Sequence, residues 1–272
     1  MKNGISIVMT YHDRRELLIR TLDSINKSLF DKNKLEIIIV NDASSKEHQI
    51  NDLKDKYGYL NLKIINIKEK QKKWTNSCIP YNIGFNYIKY DKVIIQNPEC
   101  YHNGDILTHV YNNLNDNDYL SYGCYSLTWQ NTDNYNYKNV KINNIGNNQA
   151  TADGWYNHSI YRPVGYHFCS SITYNNLCKL NGFDERYKDG IGYDDNEWVE
   201  RVKKLGLNFK IIDNPFVFHQ AHPSVFRFNK LSPQEEKDLK LKLFEVNYNL
   251  FVNITKKESG YRAESNTYFN IK

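Results

Sequence analysis

The sequence predicts an α/β fold in which a mostly parallel central sheet is flanked by helices. Three observations carry this: short β-branched runs alternate with helix-period segments over residues 5–97, the runs are apolar without alternation, and a helix-sized stretch separates most of them. A continuously apolar strand has both faces covered. In a chain that alternates strand and helix, that means parallel strands joined by right-handed crossovers.

The expected strands are "ISIVMTY" (5–11), "LEIIIVN" (35–41), "LKIINI" (62–67) and "KVIIQN" (92–97). Between the first two, "RRELLIRTLDSINKSL" places Leu17, Leu18, Thr21, Leu22 and Ile25 on one helical face. A second helical segment, "KEHQINDLKDKYG", stops at Gly58, and "IPYNIGFNYIKY" opens a third with Pro80 in its first turn. Residues 131–153 are polar, Asn-rich and aperiodic, which predicts a long surface loop. From Trp155 the pattern resumes with a strand around "YHFCSSITY", a helix over 194–205 and a strand at "NFKII". Ser232 and Pro233 then form a cap-like start to an amphipathic C-terminal helix.

The 272 residues suffice for one catalytic-sized core. The net charge of +5 arises from 36 basic and 31 acidic residues in a mixed pattern, and the densest basic run, "KEKQKK" at 68–73, reads as an exposed loop. No basic stripe is interleaved with aromatics, so nucleic acid is not an expected partner. Five cysteines without a CxxC pair argue against a disulfide framework or a zinc site and for a reducing compartment. The N-terminal apolar run is a strand's length, too short for a signal peptide or a transmembrane segment. The expectation is a soluble cytoplasmic protein, free or resting on a membrane surface.

Open parallel sheets bind ligands at the carboxyl ends of their strands. Tyr11 to Arg14, Asp42, and Asn97 with Glu99 all fall there. Asp42 either accepts hydrogen bonds from a nucleoside or caps the next helix together with Ser44. Glu99 either faces a ligand or is solvated after a proline turn.

At this point the residues become recognisable. "SIVMTYHDRRELLIRTLDSI", "LEIIIVNDASS" and "IPYNIGFNYIKYDKVIIQNPE" resemble the nucleotide-sugar half of family 2 glycosyltransferases of the GT-A (nucleotide-diphospho-sugar transferase) fold. "LNGFDERYKDGIGYDDNEWVERVKKLGL" followed by "FVFHQAHP" resembles the acceptor-side segment of galactosyltransferases and N-acetylgalactosaminyltransferases. The resemblance implies a catalytic domain over 1–222, with a nucleotide-sugar half at 1–100 and an acceptor half at 101–222. Residues 223–272 would be a helical extension packed on it.

It also implies that Thr10, Tyr11 and Arg14 line a uracil pocket, with Asp42 on the base or ribose. Asn82 and Gly84 match the family's Asn and Gly ahead of its metal motif. Where the family carries Asp-x-Asp, this chain has Asn97, Pro98 and Glu99. The departure removes one carboxylate, so a cation, Mn2+ or Mg2+, would lean on Glu99 and on His219, which matches the family's metal histidine better than His222 does. An imidazole beside oxygen ligands favours manganese. A structural role stays open for either histidine. Asp195 matches the catalytic base and Asp194 an acceptor ligand, although carboxylates in a first helical turn are also favoured by the helix dipole. Trp155, Tyr156 and His158 either line an acceptor pocket or belong to the core.

The expected function is a metal-dependent, inverting transfer of a hexose or N-acetylhexosamine from a UDP-sugar to a hydroxyl of a glycan or glycosylated protein. The alternative is a noncatalytic nucleotide-sugar or glycan binder that kept the fold, which Asn97 favours. A nucleotidyltransferase would want a Gly-rich loop after the first strand, and "TYHDRREL" has no glycine.

Overall fold

The computed structural model describes residues 1–135, 137–223 and 231–270. Residues 224–230 and 271–272 of the expected C-terminal extension lie outside the described residues. The four apolar runs become β1 (Lys2–Tyr11), β2 (Leu35–Asp42), β3 (Leu62–Ile67) and β4 (Tyr90–Gln96). They pair in parallel in the order β3-β2-β1-β4. Every residue of β2 is buried, as a strand covered on both faces requires.

Alternate residues of these strands feed two cores. Ile5, Ile7 and Met9 of β1 and Ile37 and Ile39 of β2 pack with Leu18, Leu22 and Ile25 of α1 (Arg15–Asn26). On the opposite face, Val8, Ile38, Val93 and Ile95 pack with Ile79, Tyr81 and Phe85 of α3 (Cys78–Phe85). Gly84 lets α3 approach closely: a Cβ there would lie 2.7 Å from Val8 and 3.1 Å from Val40. The segment ending at Gly58 is less helical than its sequence predicts. It forms a 3₁₀ turn at Lys46–His48 and then only α2 (Leu53–Lys56).

Beyond β4 come β5 (Cys100–Asn103), α4 (Ile106–Asn113), β6 (Asp118–Ser126), α5 (Trp129–Asp133) and β7 (Gly154–Asn157). Then follow β8 (Cys169–Thr173), α6 (Tyr174–Leu180), α7 (Asp194–Lys204), β9 (Asn208–His219) and α8 (Pro233–Lys257). The sheet continues β4-β8-β6-β9-β5, with β7 beside β6. Here the ladders are antiparallel except for the parallel β6–β9 pair. The parallel character thus belongs to the first half of the chain. β9 runs past the expected "NFKII" to His219, and its ladder with β6 jumps from Ile212 to Phe216, passing over Pro215, which has no N–H to offer.

The loop expected at 131–153 is more structured than its composition suggests. It contains the end of α5, a 3₁₀ turn at Tyr137–Asn139 and a bridge from Gly146 to Trp155. Ser232 caps α8 in a reciprocal pair with Glu235. α8 lies against the segment before α7: Asn247 donates to the carbonyls of Tyr187 at 3.1 Å and Gly192 at 2.8 Å.

Candidate active site

A cavity of about 590 Å³ opens at the carboxyl ends of β1, β2 and β4. Thr10, Tyr11 and Arg14 reach it from β1, Asp42 from β2, and Asn97 and Pro98 from the turn after β4. The opposite wall is Gly190 to Gly192 with Asp194 and Asp195 of α7, and residues 72–77 close one side. This is where an open parallel sheet presents ligands.

Asp42 is 7% exposed and does not cap a helix. That turn is held instead by Asn41, whose Oδ1 accepts from the Ser44 N–H at 3.1 Å. The Asp42 carboxylate accepts from Trp74 Nε1 at 3.0 Å and pairs with Lys72. Lys72 belongs to the basic run expected to be solvated. Its signal was the tryptophan two residues later, which anchors the run over the sheet.

The chain turns sharply after β4, with the Cys100 N–H donating to the Asn97 carbonyl at 3.1 Å. Asn97 Oδ1 accepts from the Tyr81 hydroxyl at 3.1 Å. Glu99 is then carried inward to 2% exposure, so the solvated-turn reading does not hold. Its two oxygens face different partners. Oε2 accepts from Arg14 at 2.9 Å, while Oε1 lies 3.3 Å from His219 Nε2 and 3.5 Å from His222 Nε2. Burial would raise the Glu99 pKa, but Arg14 and the two histidines hold it well below the carboxylate range. Burial lowers the pKa of His219 and so favours its neutral, ligating form, with Glu99 opposing.

The sheet explains the convergence. β5 pairs antiparallel with β9 so that Cys100 faces His219, and Gln220 clasps the Glu99 carbonyl through its N–H at 3.2 Å and its side-chain amide at 3.0 Å. One ligand atom from each of Glu99, His219 and His222 lies within 4.8 Å of the others. A carboxylate and two imidazoles at that spacing fit a divalent cation. His222 is a member that sequence reasoning set aside. Its signal was the three-residue interval from His219, which returns a chain leaving a strand to the same end of the sheet.

Asp194 and Asp195 open α7, whose N-cap Tyr193 has a left-handed backbone, φ 62°. Asp194 is buried and accepts from Asn76 Nδ2 at 2.8 Å. Burial and the adjacent Asp195 charge push its pKa up to about 6. Asp195 pairs with His167, a residue that carried no signal in the sequence.

Glu99 and His219 are buried and do not line the cavity themselves, Glu99 meeting it only through Arg14, and Asn82, Trp155, Tyr156 and His158 are not brought to it. Asn82 is fully buried and pins the loop before α7, donating to the Phe183 carbonyl at 2.9 Å and to Glu185 at 3.0 Å. Trp155 packs in a core cluster with Tyr125 and Phe218. Tyr156 stacks on Phe168 and presents its ring to His219 at 5.2 Å, on the side of the carboxylate–histidine cluster. His158 packs between Trp155 and Tyr161.

Among solved structures, S. aureus TarS residues 1–349 shares the fold at TM-score 0.58 and 14% identity, over 94% of this chain and 75% of that one. A TarS structure in complex with UDP-GlcNAc aligns at TM-score 0.57 and 12% identity, over 94% and 76%. The mannosyltransferase PcManGT from Pyrobaculum calidifontis, in complex with GDP-Man and Mn2+, aligns at TM-score 0.57 and 11% identity, over 94% and 76%. No curated protein matches by sequence. The sequence profile of Glycosyl transferase family 2 matches residues 6–171, more than half of the chain. With that profile laid over a sheet that solved glycosyltransferases share, the chain belongs to glycosyl transferase family 2 and is a glycosyltransferase of the GT-A fold.

Proposed function

We propose that this glycosyltransferase is cation-assisted and inverting, and moves a hexose or N-acetylhexosamine from a UDP-sugar to a hydroxyl of a glycan or glycosylated protein. In this reading residues 1–100 present the donor side, residues 101–222 the acceptor side, and residues 223–272 brace them. One observation carries it. Asp42, Asn97 and Asp195 border one cavity, and Arg14 on its wall reaches the buried Glu99 that His219 and His222 share. The TarS complexes with UDP and UDP-GlcNAc and the PcManGT complex with GDP-Man and Mn2+ support the donor class and the cation.

Asp42, steadied by Trp74 and Lys72, accepts hydrogen bonds from the nucleoside. Glu99, His219 and His222 would hold the cation, and the two nitrogen donors favour Mn2+ over Mg2+. His222 makes good the ligand lost where Asn97 replaces a carboxylate. When bound, the cation neutralises the diphosphate's charge as the nucleotide leaves. Asp195 takes the acceptor hydroxyl's proton, and that oxygen attacks the anomeric carbon from the face opposite the diphosphate, so the configuration inverts. Asp194, which holds a proton to higher pH, binds an acceptor hydroxyl.

The test is a panel of nucleotide sugars assayed for transfer and hydrolysis, with UDP affinity measured by calorimetry in Mn2+ and in chelator. Stronger UDP binding with Mn2+, and turnover lost in Asp195→Asn while UDP binding is kept, is the expected result. Equal affinity in chelator removes the cation's role. Binding without turnover across the whole panel returns the noncatalytic reading that Asn97 raised.

A further inference from the structure

This inference rests on the assignment of Asp195 as the proton acceptor. His167 stands just before β8, 4% exposed. Its ring meets Tyr81 edge-on, centroids 5.2 Å apart, and tilts against Phe183 at 4.7 Å. Nδ1 pairs with Asp195 Oδ1, and the His167 backbone N–H lies 3.4 Å from the same oxygen. Both residues line the cavity. The two aromatic neighbours would be served as well by an apolar ring, so packing alone does not account for an imidazole here.

Charge does. Asp194 and Asp195 are adjacent in the first turn of α7, the first buried and the second partly exposed, and a buried carboxylate does not stay ionised beside another unless a cation compensates. Asp194 leans on the Asn76 amide, which is neutral. The groups facing His167 are these two carboxylates from α7 and the Tyr81 hydroxyl from α3, which is engaged with the Gln96 carbonyl at 2.9 Å and Asn97 Oδ1 at 3.1 Å. The neighbouring Tyr166 hydroxyl accepts from Asn196 at 2.7 Å.

We propose that His167 is a positioning residue for sugar transfer: as an imidazolium it keeps the Asp195 carboxylate ionised and aimed into the cavity, leaving Asp194 as the member of the acidic pair that retains a proton. Burial opposes the charged ring, yet the Asp195 charge and hydrogen bond leave His167 above its ordinary value. The balance of the step is simple. The acceptor O–H proton moves to Asp195, the new oxygen–carbon bond forms, and the bond from the anomeric carbon to the diphosphate breaks.

The test compares pH profiles of kcat and kcat/KM for the full chain and for His167→Gln, which keeps an amide donor but not a charge. The expected result is a fall in kcat of roughly 10²-fold with donor KM little changed, and an acidic limb moved to higher pH. UDP affinity measured by calorimetry reports that the variant is folded. A second measurement needs no turnover: the ring resonances of His167, followed by NMR through a pH titration, move to lower pH in Asp195→Asn. An unmoved titration overturns the pairing. A shifted titration with superimposable activity limbs in wild type and His167→Gln makes His167 structural only and overturns the proposal. An Asp195→Asn protein that still transfers sugar overturns the base assignment itself, which the NMR result does not depend on.

Discussion

Glu99 shows how one buried carboxylate serves two partners. Its Oε2 is matched by Arg14, so Oε1 is the oxygen turned toward both imidazoles. A buried carboxylate without such neighbours would protonate instead. His222→Ala removes one of the cluster's two nitrogen donors. We expect it to lower Mn2+ affinity at least about tenfold, since even the partners that orient a metal ligand are worth that much. Calorimetric titration of Mn2+ into wild type and variant checks this, and identical isotherms would exclude His222 from the cluster. At this scale the sequence was partly legible. Glu99 could be singled out because it follows an apolar strand and His219 because it matches the family's metal histidine, whereas His167 sits in the expected strand "YHFCSSITY", just before the observed β8, and meets Asp195 only when α7 arrives beside it.

The C-terminal helix sets the far wall of the cavity at the level of elements. Gly190 lies so close to α8 that a Cβ would sit 2.3 Å from Asn247 Oδ1 and 2.7 Å from the Leu243 carbonyl. The Ile191 N–H donates to that same carbonyl at 3.1 Å, so α8 and the Gly190 to Gly192 wall are stitched together. Gly190→Ala forces them apart. We expect a loss of about 1–3 kcal/mol in unfolding free energy, typical of overpacking, accompanied by weaker UDP binding. Urea denaturation and calorimetry on the same preparation check both, and an unchanged midpoint would mean that α8 does not brace the wall. The glycines of "KDGIGY" were visible as a place of close approach, but the sequence did not say that what approaches is the chain's own last long helix.

For the whole molecule, legibility follows the kind of strand. β1, β2 and the second half of β4 were readable because burial on both faces demands unbroken apolar runs, and β3, an edge strand with only Ile64 buried, because its run is β-branched. β6 is equally buried but is written "DYLSYGCYS", with its polar groups satisfied internally: Ser121 donates to the Tyr166 carbonyl at 2.9 Å, and Asn157 donates to the Tyr122 carbonyl at 2.8 Å. A strand of serines and tyrosines gives no hydropathy signal, so the antiparallel half had to be seen. No described helix is long and apolar enough to cross a membrane. The buried charges also predict how stability varies with pH. His167 titrates above its ordinary value of 6.5, so the folded state binds more protons than the unfolded one between those two points. Its contribution is full below 6.5 and fades as pH rises through the raised value. Glu99 acts in the opposite sense, because its folded pKa lies below its unfolded one, and its contribution fades in strong acid as pH falls through the depressed value. Thermal melts from neutral to mildly alkaline pH are expected to show a decline that Asp195→Asn flattens; parallel curves would remove the His167 contribution.

The pairing of Cys100 with His219 also acts as a gauge of alignment. Side chains alternate across a strand, so slipping β9 by a single residue would offer the aromatic Phe218 where an imidazole belongs. The cluster brings together positions more than a hundred residues apart and closes only when the final strand has docked in frame. In the proposed reading, capture of an ion at Glu99 would therefore mark a chain whose last strand has found its place.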